Sequence, residues 1–385
     1  MLNILKIVKG YYTITLNLNH IACEMLIEKL NHWINPRIRA LTLYQVHDAT
    51  GFVKLDAMEN PYTLPSELRQ EWLELIQQVP FNRYPDPQAF KLKARLTTSL
   101  NLPTKTELLL GNGSDELLQI LMLAVNGDNR VILSFEPSFV MYRMIATWIG
   151  LEFIGIPLQL PNFNINIDAA LEAIARYRPA IIFLAYPNNP TGNLFDAAAI
   201  HRIIQAAPGL IVIDEAYAPF TDETWIEKIL QYDNLLVLRT VSKMGLAGLR
   251  LGYLIGHPAW IKELDKIRMP YNINVLTQIT VDWALSHKEI FDMQTRQIRM
   301  ERERLQQNLS DLPGIIVYPS QANFILFRVN NAPLIFQQLK TYGILIKNLH
   351  NSHPMLDNCL RVTVGTETEN AAFLNALSTI ANTTN

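Results

Sequence analysis

The sequence predicts an α/β fold: a mostly parallel central sheet with helices on both faces, followed by a smaller α+β unit. Between about residues 105 and 256, short apolar runs alternate with stretches of helical period. That is the pattern of parallel strands buried on both sides. After Pro270 the alternation stops, and a long polar helical stretch leads into several short strands. The 385 residues also exceed what one ordinary core encloses, so a large and a small domain are expected.

In chain order, residues 107–110 read as the first strand and 114–125 as a helix opening at a Gly-Asn-Gly turn. Further strands are expected at 131–135, 151–157, 180–185, 210–213, 235–238 and 252–255, with helices near 138–149, 168–177 and 196–206. A polar helix is expected over 275–310, ended by Leu312-Pro-Gly314. Strands then follow at 315–318, 323–329, 344–347 and 360–364, with helices near 332–342 and 367–381. In such sheets ligands gather at the carboxyl ends of the strands.

Composition narrows the function classes. The 33 basic and 35 acidic residues nearly cancel, so nothing advertises nucleic acid or an anionic membrane. Cys23 and Cys359 show no CxxC spacing, which argues against a disulfide framework or a zinc site and fits a reducing cytoplasm. No apolar run approaches a membrane span, and residues 1–8 lack the apolar core and cleavage site of a signal peptide. His350 and His353 are three apart in a loop-like stretch without acidic or thiolate company, so a metal site is not expected.

The most informative stretch is Val237-Leu-Arg-Thr-Val-Ser-Lys-Met-Gly-Leu-Ala-Gly-Leu-Arg250. A strand delivers Thr240, Ser242 and Lys243 to a turn, and Arg250 follows seven residues after the lysine. An amine beside hydroxyls and a guanidinium suits a cofactor holding both an aldehyde and a phosphate, which describes pyridoxal phosphate. Asp214 ends the run Ile211-Val-Ile-Asp214, where a carboxylate can pair with a protonated pyridine nitrogen, and Tyr217 follows within reach of a phenolic oxygen. Without a GxxxxGK[ST] loop, a nucleotide reading of that acid fails. Asn189, in Tyr186-Pro-Asn-Asn-Pro-Thr-Gly192, would alone read as a turn residue; beside Lys243 and Asp214 it is a donor to the same oxygen. Gly111-Asn-Gly113 exposes the amides of Ser114 and Asp115 to an anion at a helix start. Phe139 is placed to stack on a flat ring, although a core phenylalanine is the commoner explanation. Arg361 lies in an apolar run, where it needs an anionic partner: a substrate carboxylate or a structural ion pair.

These residues, in this order, resemble those of the pyridoxal-phosphate aminotransferases of the aspartate aminotransferase fold. Within that group the chain is most similar to the histidinol-phosphate aminotransferases. The strings Leu55-Asp-Ala-Met-Glu-Asn-Pro-Tyr62, Asn82-Arg-Tyr-Pro-Asp86, Gln321-Ala-Asn-Phe324 and Leu360-Arg-Val-Thr-Val-Gly-Thr366 carry the likeness, together with the lysine loop. The resemblance spans residues 40 to 380. It implies a homodimer with shared active sites, in which Tyr84 reaches the neighbouring subunit's cofactor phosphate. It further implies a phosphate cup of Ser114, Asp115, Thr240, Ser242 and Arg250, ring stacking by Phe139, and Tyr44 on a substrate-facing arm. The matching division is an N-terminal extension (1–40), an arm (41–60), a large cofactor-binding domain (61–270) and a small domain (271–385).

Three positions depart from the pattern. Met58 stands where many relatives have Asn, and the spacing from Lys243 to Arg250 is one residue shorter than in some. Lys347 stands where others often have a substrate-binding Arg. The expected reaction moves an amino group between L-histidinol phosphate and 2-oxoglutarate, through imidazole acetol phosphate and glutamate as products, in histidine biosynthesis. Alternatives on the same machinery are an aromatic amino-acid aminotransferase and a phosphothreonine decarboxylase. An effector-binding module of a transcription regulator would need a DNA-binding segment, and residues 1–40 show no clear helix-turn-helix or basic patch.

Overall fold

The computed structural model describes residues 25–43 and 47–384, and the chain divides into two compact units between His47 and Asp48. That boundary falls inside the segment expected to be an arm. The first unit holds a helix over residues 25–33 and the short helix Pro36–Arg39. Asn35 opens the latter by accepting the Arg37 N–H at 2.9 Å, with Pro36 at the first helical position. Tyr44 lies outside the described residues.

The second unit is built on a seven-stranded sheet ordered Glu107–Asn112, Leu251–Gly256, Leu235–Thr240, Leu210–Asp214, Ile181–Ala185, Val131–Glu136, Glu152–Pro157. Leu251–Gly256 runs antiparallel to the other six strands, which are parallel to one another. The central strands are buried on both faces. Ile211 and Ile213 belong to the apolar cluster on one side of the sheet, and Leu210 and Val212 to the cluster on the other. This is why they read as continuous apolar runs rather than alternating ones. All seven expected strands are present, and the expected helices appear as Ser114–Ala124, Met141–Ile149, Ile167–Tyr177 and Ala197–Ala206.

Two expectations past residue 270 change. The single polar helix over 275–310 is two helices, Val275–Ser286 and Lys288–Ser310. They part at His287, whose ψ of 34° leaves the helical range. Ser286 Oγ (2.6 Å) and His287 Nδ1 (3.1 Å) both bond the Trp283 carbonyl, and side chains that take a backbone acceptor in this way end helices. The first helix is also not polar: Val281, Trp283, Ala284 and Leu285 are buried, and its buried Asp282 meets Arg95 at 3.0 Å.

The strand expected at 344–347 is likewise two. Ile344–Leu345 pairs in parallel with Val53–Lys54, whereas Lys347–Asn348 pairs with Cys359–Thr363 in an antiparallel four-stranded sheet. The first of these pairings fixes the start of the string from Leu55 to Tyr62. Thr363 N–H donates to the Leu55 carbonyl (2.8 Å), Met58 N–H to Thr363 Oγ1 (2.9 Å), and Asn60 Nδ2 to the Met244 carbonyl (3.0 Å). The string thereby spans from the small sheet to the lysine loop. Met58 has φ of 53°, a left-handed conformation that Asn adopts more readily than Met, which gives a backbone reason for the Asn of the relatives.

Candidate active site

The carboxyl ends of five parallel strands deliver Ser114, Phe139, Asn189, Asp214 and Lys243 to one cavity of about 240 Å³. Asp115, Tyr217, Thr240, Ser242 and Arg250 line it too, as do Ala57, Met58 and Glu59 of the spanning string. The gathering follows from topology, since loops after parallel strands all leave from one edge.

One corner is built for an anion. The helix Ser114–Ala124 points its first amides into the cavity, and Glu116 reaches back to accept the Asn112 N–H at 2.5 Å. Gly113 has φ of +84°, and a Cβ there would sit 2.5 Å from Arg250 Nη2. A Cβ on Gly252 would sit 2.5 Å from the Ser114 nitrogen. Both glycines therefore let backbone, helix start and guanidinium close on one point. Arg250 lies 3.6 Å from Asp115 Oδ2, and Thr240 Oγ1 and Ser242 Oγ bond each other at 2.8 Å.

Lys243 sits in the turn Ser242–Met244, its Nζ 3.4 Å from the Ala57 carbonyl and 5.7 Å from the Tyr217 ring centre. Burial first, then the charges of Arg361 and Arg250, bring its amine down to about 8 against the opposing pull of Glu59 and Asp115. Asp214 closes its strand fully buried. Its Oδ2 accepts the Tyr142 hydroxyl (2.7 Å) and its Oδ1 the Ala216 N–H (3.1 Å). Burial lifts its carboxyl to about 6, against the pull of those two hydrogen bonds. The next residue, Glu215, faces away, accepting from Arg239 (2.6 Å) and the Trp225 N–H (2.5 Å).

A third group links the cavity to the small sheet. Asn189 Nδ2 donates to the Tyr217 hydroxyl at 3.1 Å, and its Oδ1 accepts from Arg361 Nη1 at 2.5 Å. Arg361 Nη2 also donates to the Asp56 carbonyl (3.1 Å), with its guanidinium 5.1 Å from the Phe324 ring centre. Lys347 is the cross-strand partner of Arg361. Burial and the arginine's charge lower the Lys347 amine, and Asp56 opposes them.

Other expected residues stand apart. Tyr84 is 80% exposed, stacked on Tyr271 with ring centres 4.5 Å apart, and does not line the cavity. His350 Nδ1 and His353 Nδ1 accept the backbone N–H groups of Asn358 and Met355, so both act as turn caps. Sequence reasoning missed Tyr142 and Glu59. Tyr142 lies three residues after Phe139, at the start of the helix that follows it, and the turn between them sets the two rings edge to face. Glu59 falls in the string from Leu55 to Tyr62, and only the fold carries it to the cavity lining, near Lys243.

The chain matches the family model for aminotransferase class I and II over residues 50–377. It is 53% identical over 352 residues to histidinol-phosphate aminotransferase 2 of Nitrosococcus oceani, covering 91% of this chain and 98% of that protein. It is 47% identical over 368 residues to histidinol-phosphate aminotransferase 1 of Ralstonia nicotianae, covering 94% and 98%. Among solved structures, the histidinol-phosphate aminotransferase from Sinorhizobium meliloti in complex with pyridoxal-5'-phosphate superposes with a TM-score of 0.82 at 22% identity, covering 92% of this chain and 98% of that one. That likeness bears on the fold, and the nearer relatives bear on the kind of enzyme. The chain thus belongs to the class I and II aminotransferases, which are pyridoxal-phosphate-dependent transaminases, and within them to the histidinol-phosphate aminotransferases.

Proposed function

We propose that the protein transfers an amino group between L-histidinol phosphate and 2-oxoglutarate, with pyridoxal phosphate held in the cavity at the carboxyl edge of the large sheet. The observation that carries this is the state of Asp214. Its buried carboxylate accepts two hydrogen bonds but has no cation within ion-pair distance among the described residues. Such a charge calls for a cationic partner, and a protonated pyridine nitrogen is one. The rest of the lining fits the same group. The Ser114 and Asp115 amides, Thr240, Ser242 and Arg250 would hold the phosphate, with Phe139 against the ring and Asn189 and Tyr217 at its phenolic oxygen.

When bound, pyridoxal phosphate supplies an aldehyde that takes up the amino group and a ring that accepts the electrons left as the α proton departs. Lys243 would hold the cofactor, and its Nζ would carry the α proton. Asp214 would pair with the ring nitrogen and keep it charged. Arg361 binds the carboxylate of glutamate or 2-oxoglutarate, and Arg361 with Lys347 the phosphate of the other substrate. In this reading residues 61–270 carry the cofactor and residues 271–385 bring the substrate cations. A cytoplasmic location accords with the free, buried Cys359.

A steady-state comparison of histidinol phosphate, phenylalanine, tyrosine and phosphothreonine tests the substrate. Histidinol phosphate is expected to exceed phenylalanine and tyrosine by about 100-fold or more in kcat/KM, since neither carries the phosphate that Arg361 and Lys347 would bind, and phosphothreonine is expected to release no carbon dioxide. Equal turnover of phenylalanine, or release of carbon dioxide from phosphothreonine, would sink the reading.

Lys347 separates the two substrates. A lysine offers one hydrated charge on a flexible stem, and an arginine a planar fork matched to phosphate. Lys347→Ala is expected to raise the KM for histidinol phosphate roughly tenfold to a hundredfold, the scale of one charge-assisted hydrogen bond, with a much smaller change for 2-oxoglutarate. Lys347→Arg is expected to keep activity. Equal losses for both substrates would make Lys347 structural.

The exposed Tyr84 is read as acting on a second copy of the chain, so a homodimer with shared sites is part of the proposal. Tyr84→Ala and Lys243→Ala subunits, unfolded and refolded together, are expected to regain activity, because one site of each mixed dimer contains both native residues. Mixed dimers no more active than their parents would refute the sharing.

A further inference from the structure

Tyr142 is a buried hydroxyl against the cavity lining that the chemistry above leaves unused. It is 1% exposed, stacked on Phe183 with ring centres 4.8 Å apart, and set edge-on to Phe139 at 5.5 Å. A phenol hydroxyl buried this deeply is costly unless bonded. Its bond goes to Asp214 Oδ2 at 2.7 Å, and burial with the adjacent Asp214 charge holds the phenol well above its ordinary pKa, so the hydroxyl stays a donor. The helix Met141–Ile149 that carries it begins just after Phe139, and the Tyr142 N–H donates to the Phe139 carbonyl at 3.2 Å, which brings the two rings together.

We propose that Tyr142 is a positioning residue of the transaminase: its hydroxyl fixes the Asp214 carboxylate while its ring sets Phe139, so one side chain aligns both the group at the cofactor's nitrogen and the group at its face. The proposal rests on the reading of this cavity as the cofactor site. Its physical content is that Asp214 needs help to stay charged and aimed. Burial disfavours the carboxylate, and the like charges of Asp115 and Glu215 add to that; the Tyr142 hydrogen bond is the largest influence on the other side, ahead of the Ala216 amide. Without the hydroxyl, Oδ2 loses its partner and the carboxylate can turn about its side-chain bond.

The test compares Tyr142→Phe, Asp214→Asn and the double variant as holoenzymes. Three readouts are used: the dissociation constant for pyridoxal phosphate, the single-turnover rate with glutamate, and the KM for 2-oxoglutarate. Tyr142→Phe is expected to weaken cofactor binding and slow the half-reaction by about tenfold each, the scale of one hydrogen bond to a charged group, with KM changed by less than about twofold. In the Asp214→Asn background the same substitution is expected to change either quantity by less than about twofold, because a residue acting through another is not additive with it. Losses that multiply across the two sites would overturn the proposal. So would a Tyr142→Phe protein that binds and reacts like wild type, or one changed only in thermal midpoint. An Asp214→Asn enzyme of wild-type rate would instead sink the cavity reading itself, and the two failures are thus distinguishable. If Tyr142→Phe does not fold, difluorotyrosine at position 142 keeps the shape and strengthens the donor. Tighter cofactor binding then supports the proposal, and unchanged or weaker binding overturns it.

Discussion

Lys243→Ala is expected to abolish turnover, by about 10⁴-fold or more, while leaving pyridoxal phosphate bound through the anion corner. The side chain serves twice in the proposed reaction, as the covalent anchor and as the base at the α carbon, so its loss removes both. Three measurements check this: the kcat, the absorbance of bound cofactor, and borohydride trapping, which should no longer attach cofactor to the chain. Retained trapping with near wild-type turnover would move the assignment to another lysine. The amine also makes a pH prediction. Burial lowers it from the ordinary lysine value to about 8, and only the neutral amine attacks an aldehyde. Capture of added cofactor by cofactor-free wild type should therefore quicken as pH rises towards about 8 and level off above it. A rate that keeps climbing through the ordinary lysine range would show that burial does not tune this amine.

Asp214→Asn carries the second large effect. The amide is isosteric and its oxygen can still accept from Tyr142, so the fold is expected to survive and the cofactor to stay bound, at least about tenfold more weakly. What it lacks is the charge that keeps the ring nitrogen protonated. The half-reaction is expected to slow by roughly 10³-fold to 10⁴-fold, since stabilisation of charge developing in the ring is an electrostatic contribution with no substitute nearby. Conversion of bound cofactor to its amine form in a single turnover measures it; a loss under about tenfold argues against the role.

The parts of the molecule legible from sequence share a cause. Strands buried on both faces are uniformly apolar, so Ile181–Ala185 and Leu210–Asp214 stand out, and chemistry at their carboxyl ends is found at the last residue or within the next four. Lys243, Asp214, Asn189 and Ser114 were visible that way. Helices that bury little were not: Ser66–Gln77 has no buried residue, and Phe90–Ser99 buries only Leu92 and Leu96. The break at His287 depends on two side chains competing for one carbonyl, and the split at Ile346 on two different pairing partners; neither leaves a periodic trace. The juxtaposition of Lys347 and Arg361 exists only through strand register, and the Tyr142–Asp214 bond only through packing across the sheet.

The strand Leu210–Asp214 faces a hazard that its own apolarity creates. With oil on both sides, sliding it by one position against Ile181–Ala185 and Leu235–Thr240 would exchange one set of greasy residues for another at small loss. The two carboxylates at its end forbid this. A slip would carry Glu215 towards the catalytic cavity and leave Arg239 without its counter-charge, while Asp214 would be drawn away from the phenol that holds it. Asp214 and Glu215 therefore act as a ratchet pawl for the centre of the sheet, and the step that makes the active site is also the step that tells the chain it has stopped in the right place.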